Sequence, residues 1–248
     1  MSNADSIAKT ETLAPENAIK VSATFERNET VRIEAFSDGV FAIAITLLVL
    51  GINVPRIREL GAGGSLGSTL LKQWPHYLAF VTSFITIFAK WVNHHRIFSF
   101  IQRIDHPFLY WNGLLLLLIT FMPFPTALLA EYLLHPEAKA AGAVFAGTYA
   151  AIAFAFKGLW YHASKNGRLL AQNVDDREIR QITMQYRYAP LLYLAAFALS
   201  FVSVVMSVCL CLCLAMFFAF KGWPTLRAAA LYLPSFPRRR NADISKKP

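Results

Sequence analysis

Apolar residues in this chain gather into long runs separated by short polar stretches, with no strand-like alternation. The runs are Ala35 to Val54, Trp74 to Phe100, Phe108 to Leu134, Ala138 to His162 and Ala189 to Phe220. The first four match the roughly 20 residues a helix needs to cross a bilayer. Pro55 closes the first, and Lys90 and His94-His95-Arg96 interrupt the second. Pro123 and Pro125 predict a kink, or an end to regular helix, within the third. The fourth is rich in alanine and glycine, with Lys157 near its inner end. The last run is uncharged and too long for one crossing. Ser200, Ser203 and Ser207 predict a tight turn in it, giving helices over about 178–203 and 206–221. The pattern therefore predicts an all-α integral membrane protein with six transmembrane helices.

The flanks differ in kind. Residues 1–28 are polar and mixed in charge, with no apolar segment of the sort that makes a signal peptide, so they predict a disordered cytoplasmic tail. Gly61, Gly63, Gly64 and Gly67 predict a flexible loop after the first helix. Residues 29–221 form the six-helix transmembrane domain in this reading, and 222–248 a basic cytoplasmic tail.

Composition supports a bilayer environment. Apolar residues make up 56% of the 248-residue chain and charged residues only 16%, against about 25% charged in soluble domains. The net charge of +9 would suggest nucleic acid in a soluble protein, but its distribution points elsewhere. Of 24 Lys and Arg, only Arg56, Arg58, Lys72 and Lys139 fall in predicted outer loops, and Lys90 sits within a span. The other nineteen lie in tails, inner loops and inner helix ends. Six spans put both termini on the cytoplasmic side and satisfy the positive-inside rule, whereas five would carry Arg238-Arg239-Arg240 across. The expected location is the cell membrane, multi-pass, in contact with lipid and not with nucleic acid. Cys209, Cys211 and Cys213 share one apolar run, a spacing suited to neither zinc nor a disulfide framework.

The first helix is unusual at its inner end, where Arg32 and Asp38 are costly unless paired or wetted. Arg32, Phe36, Gly39, Ile43, Thr46 and Leu50 recur at intervals of 4-3-4-3-4 and share one stripe. A hydroxyl layer between two aliphatic layers suits a narrow pore, since apolar constrictions gate by dewetting and oxygens replace part of an ion's hydration shell. The same stripe also suits a packing seam, with Gly39 and Thr46 allowing close approach. Asp38 lies about 240° around the helix from Arg32, so its partner is expected from another helix. Trp91 and His94 in the second span, and Asn112 in the third, lie at the matching depth. Arg, Asp, His and Asn groups there can satisfy one another and join helices one, two and three. Imidazole also binds metals and relays protons, but His94 and His95 point about 100° apart on a helix. No cysteine or carboxylate lies near them in sequence, so packing is favoured and no metal site is expected.

The segment Arg32-x-x-x-Phe36-Ser37-Asp38, followed by Val40 to Leu50, resembles the signature of the transmembrane protein 175 family of potassium channels. Trp91 and His94, Asn112, and Pro123-Phe-Pro125-Thr fit its prokaryotic members. The resemblance covers roughly residues 29–220. It implies a potassium-favouring cation channel with helix one of each subunit lining the pore. Ile43 would be an aliphatic constriction, Thr46 the selectivity-related layer and Leu50 a further apolar layer. Arg32, Phe36, Ser37, Asp38, Trp91, His94 and Asn112 would form an inner-end network that ties helices together. Lysosomal relatives carry two six-helix repeats per chain, so a single repeat implies a homotetramer. Potassium would be the permeant ion, with no cofactor.

Other functions fit less well. An intramembrane enzyme needs converging catalytic groups, and no Ser or Cys nucleophile with oxyanion donors accompanies Asp38 and His94. A secondary transporter, or a proton or cation leak pathway, is the alternative. The transporter would show paired broken helices, of which Pro123 and Pro125 supply one hint.

Overall fold

The computed structural model describes residues 27–57, 65–167, 169–171 and 174–221. The predicted N-terminal tail to residue 26, most of the glycine-rich loop and the C-terminal tail lie outside the described residues. Among those described, regular structure is helical, with one isolated antiparallel bridge between Ile101 and Leu170.

Helix α1 covers 27–47 and tightens into a 3-10 turn, Leu48–Gly51. Helix α2, Leu66–Lys72, is capped by Ser65, whose side chain accepts from the Ser68 amide. Helix α3, Trp74–Phe100, has proline in its first turn, where no intrahelical donor is needed. Helix α4, His106–Phe121, starts from Asp105, whose carboxylate accepts from the Phe108 amide at 3.0 Å.

Helix α5, Pro123–Tyr132, follows directly. Met122 keeps right-handed helical angles between the two. Pro123 and Pro125 have no N–H to donate, and regular bonding resumes with the Thr126 amide on Met122 O at 3.2 Å. The prolines thus interrupt the hydrogen-bond ladder without turning the chain back, and His106–Tyr132 remains one membrane-length unit.

Helix α6, Ala138–Ser164, passes into a short 3-10 turn, Lys165–Gly167, closed by Gly167 at φ 66°. Helix α7, Asp176–Ser200, is capped by Asp175 and carries Asp176 and Glu178 in its first turn, where the helix dipole favours them. Helix α8 is Val204–Lys221. The chain breaks at residues 201–203, three residues earlier than the predicted end of the fifth span. The serines act there as the spacing suggests. Ser203 Oγ accepts from the Met206 amide at 3.4 Å, and Ser207 Oγ donates to Ala196 O at 2.6 Å across the turn.

Three described helices are long and apolar enough to cross a membrane: Arg27–Gly51, His106–Tyr132 and Ala138–Ser164. Helices α3 and α7 are comparably long but more polar, and α3 buries its polar positions inside the protein: Thr82, Ser83, Thr86, Lys90, Asn93, His94 and Arg96. Helix α6 is central, packed by α4, α5, α7 and α8. Helix α1 is peripheral. Only 22% of its apolar window is buried, against 44% for α4 with α5 and 61% for α6.

Candidate functional site

Helix α1 presents two distinct faces. Ser37, Phe41, Ala44 and Leu48 are buried at intervals of four, three and four, and Phe41 and Leu48 join the core. The other face holds the sequence-derived stripe. Phe36 is 65% exposed, Ile43 59% and Leu50 73%, with Arg32, Gly39 and Thr46 exposed between them. A helix that anchors one face by ordinary core packing and leaves a continuous stripe bare has a surface available to other subunits, to lipid or to solvent. Thr46 Oγ1 donates to Ile43 O at 2.8 Å, so its proton is engaged by the backbone and its lone pairs remain available.

The buried face of α1 leads into a directional hydrogen-bond chain. Ser37 Oγ donates to Ile33 O at 2.8 Å, so it accepts from Asn112 Nδ2 at 3.0 Å. The Asn112 carbonyl Oδ1 then accepts from His94 Nε2 at 3.0 Å. Donors thus run from α3 through α4 to a carbonyl of α1, and all three side chains are buried. His94 sits between Phe41 and Phe98, with ring centroids at 5.2 and 4.5 Å. Beside this chain, Trp91 Nε1 donates to Asp38 Oδ1 at 2.9 Å.

Ser37, Asp38, Trp91, His94 and Asn112 are therefore brought together. Arg32 and Phe36 are not. Both belong to the exposed stripe, and Arg32 makes no hydrogen bond or ion pair among the described residues. The reason is angular, because a residue four positions before Phe36 shares its face. An Arg32 contact is thus not observed among the described residues of the single chain.

Every one of these residues lies in 32–123, the stretch that matches the family model described as the endosomal/lysosomal potassium channel TMEM175. Over 196 residues the chain is 61% identical to a protein of Chamaesiphon minutus named as a potassium channel, covering 79% of this chain and 96% of that one. The chain belongs to the TMEM175 family. A potassium channel of Streptomyces collinus is 42% identical over 206 residues, covering 82% of this chain and 98% of the relative. The crystal structure of a lysosomal potassium-selective channel TMEM175 homolog from Chamaesiphon minutus superposes with a TM-score of 0.72 at 58% identity. That match covers 79% of this chain and 98% of the homolog. The family membership implied by the Arg32 to Asp38 motif is thereby confirmed, as is the helical channel fold.

This TMEM175 chain also contains a contact the sequence did not reveal. His95 Nδ1 lies 2.8 Å from Glu34 Oε1, and with Asp38 their ligand-capable atoms fall within 4.8 Å of one another. The carboxylates absent from the sequence around His95 come from α1. Glu34 and Asp38 are one helical turn apart, so both face α3. His95 pairs with Glu34 while Trp91 holds Asp38, and the Trp91 and His95 rings stack at 6.0 Å. These groups satisfy one another and add a second zip between α1 and α3.

Proposed function

We propose that this chain is one subunit of a homotetrameric, potassium-favouring cation channel in the cell membrane. Its six crossings are α1, α3, α4 with α5, α6, α7 and α8, with both termini on the cytoplasmic side. Helix α1 of each subunit lines the pore. The observation that carries this reading is the bare stripe of α1 opposite a well-packed face. Four copies of α1 around an axis would cover that stripe and bring Ile43, Thr46 and Leu50 into rings.

The chemistry of each ring follows from its side chain. Ile43 and Leu50 carry no polar atoms, so narrow rings of either resist wetting and hold back ions. Thr46 presents a hydroxyl oxygen whose proton is turned toward Ile43 O. Four such oxygens can replace water around a weakly hydrated cation. The names of the relatives from Chamaesiphon minutus and Streptomyces collinus support potassium as that cation. Asp38, Ser37, Trp91, His94 and Asn112 hold the inner end of α1 against α3 and α4, fixing the rings in register.

Flux from liposomes containing the purified chain tests the reading. Potassium efflux is expected from the unmodified protein, and Ile43→Asn and Leu50→Asn are expected to raise cation leak by wetting the constriction. Protein that assembles as a tetramer and passes no potassium, with both variants equally silent, would overturn it.

A further inference from the structure

Glu34 and Asp38 of α1 and His95 of α3 each bring one ligand-capable atom into a group no wider than 4.8 Å. The sequence places no carboxylate near His95, and the fold supplies two from another helix. His95 Nδ1 and Glu34 Oε1 are 2.8 Å apart. Around a tetrahedral zinc ion with bonds of about 2.0–2.2 Å, neighbouring ligand atoms stand about 3.4 Å from one another. One pair of the trio is closer than this, and the widest exceeds it by roughly 1.4 Å at most. Adjustments of that size lie within the reach of side-chain torsions, with both helices left in place.

The donor set selects the class of ion. One imidazole with two carboxylates suits zinc and its neighbours among the divalent transition metals, whereas magnesium and calcium favour oxygen-only sites. Three protein ligands leave a further position for water. The site is open enough to admit both ion and water, since the Glu34 side chain is 21% exposed and that of His95 48%. The ligands are also held in orientation. Trp91 Nε1 donates to Asp38 Oδ1 at 2.9 Å, and the same indole stacks on the His95 ring. Outer contacts of this kind orient metal ligands and raise affinity. Among the described residues, Asp38 Oδ2 and Glu34 Oε2 make no hydrogen bond, so each carboxylate keeps one oxygen uncommitted.

We propose that Glu34, Asp38 and His95 bind a divalent transition metal of the zinc class, with water completing its coordination. The proton between His95 Nδ1 and Glu34 Oε1 gives way to the metal, and the ring keeps a proton on Nε2. Binding then joins α1 to α3 by coordinate bonds, on a helix that buries only 22% of its apolar window in the subunit. The metal-free protein keeps the His95 to Glu34 contact in the same place. The site lies within one subunit and does not depend on the pore assignment.

Full-length, tag-free protein in detergent, first stripped with a chelator, provides the test. Zinc chloride is titrated calorimetrically, thermal unfolding is followed with zinc or magnesium chloride, and anomalous scattering at the zinc edge is collected from crystals grown with zinc. One zinc per chain is expected. Zinc at ten times its dissociation constant is expected to raise the unfolding midpoint by about 4 °C, and magnesium at the same concentration to leave it unchanged. His95→Gln and Glu34→Gln each remove one ligand and are expected to weaken zinc binding at least tenfold. His76→Gln, which alters a histidine–glutamate pair near the opposite end of α3, is expected to bind zinc as the unmodified protein does. The two ligand variants change different helices, so one reports if the other fails to fold, and the anomalous map needs neither. A zinc peak between His95 and Asp38 supports the site. No zinc binding, an equal response to magnesium, full zinc affinity in either ligand variant, or anomalous peaks confined to other histidines would overturn it.

Discussion

Trp91 donates its indole N–H to the Asp38 carboxylate at 2.9 Å, joining α3 to α1. The same indole stacks on His95, which pairs with Glu34 one turn below Asp38. Helix α1 buries little of its apolar surface in the subunit, so polar contacts of this kind carry a large share of its placement. A shift of α1 along its axis would break the Asp38, Glu34 and Ser37 contacts together.

Trp91→Phe tests the first of these contacts. Phe keeps an aromatic ring but loses the indole donor and the volume of the five-membered ring, so a packing loss adds to that of a part-buried bond to a carboxylate. The bond alone is expected to contribute about 1.5–3 kcal/mol, read as a lower unfolding midpoint in detergent. Asp38→Asn retains a carbonyl acceptor for Trp91 and should lose less. Equal losses in the two variants would mean that the charge of Asp38, and not its bond to Trp91, positions α1.

Asn112 is the hub of the other contact, accepting from His94 and donating to Ser37. Asn112→Leu leaves His94 Nε2 unpaired in the interior, at about 1–3 kcal/mol, and removes one bond from Ser37, which keeps its bond to Ile33 O. Ser37→Ala strands only the Asn112 amide and should cost less. Because both substitutions break the same bond, the double variant should fall short of the sum. Full additivity in thermal unfolding would show that the three side chains do not act as a chain.

The sequence discloses these features unequally, for physical reasons. The exposed stripe of α1 is legible because helical periodicity alone decides which residues share a face, and Arg32 to Leu50 keep the interval throughout. The serine-marked break near residue 203 is legible because local side-chain bonds make it. Glu34 beside His95 is not, since the two are far apart in the chain and meet only through the packing of α1 on α3. Lys90 is visible in the sequence only as an interruption of an apolar run. Its setting depends on Tyr193, about a hundred residues away, whose hydroxyl accepts from its ammonium and whose ring lies beside it. The exposure of Arg32 follows from the stripe, but a charge at a span's inner end also suggests burial, and only the fold decides between them.

Gly158 on α6 offers a test of packing remote from α1. A Cβ placed there would lie 2.4 Å from the ring of Trp111 on α4. Gly158→Ala must therefore displace the indole, at an expected cost of about 1–3 kcal/mol. In a Trp111→Ala background the obstacle is gone, and the same substitution should be neutral or slightly stabilising through helix propensity. An equal penalty in both backgrounds would place the constraint in the backbones of α4 and α6.

Thr46 gives the sharpest division between a pore and a packing seam. Its hydroxyl donates to Ile43 O and faces outward with its oxygen. In a seam, shape governs, so Thr46→Val, which keeps the branched outline and loses the oxygen, should behave as the unmodified protein does. In a pore the oxygen governs. Thr46→Val should then lower the preference for potassium over sodium, whereas Thr46→Ser, which keeps the oxygen and loses a methyl, should retain most of it. Bi-ionic reversal potentials in reconstituted membranes distinguish the two, provided that both variants assemble normally. A preference that follows the methyl group and ignores the oxygen would remove Thr46 from the ion's path.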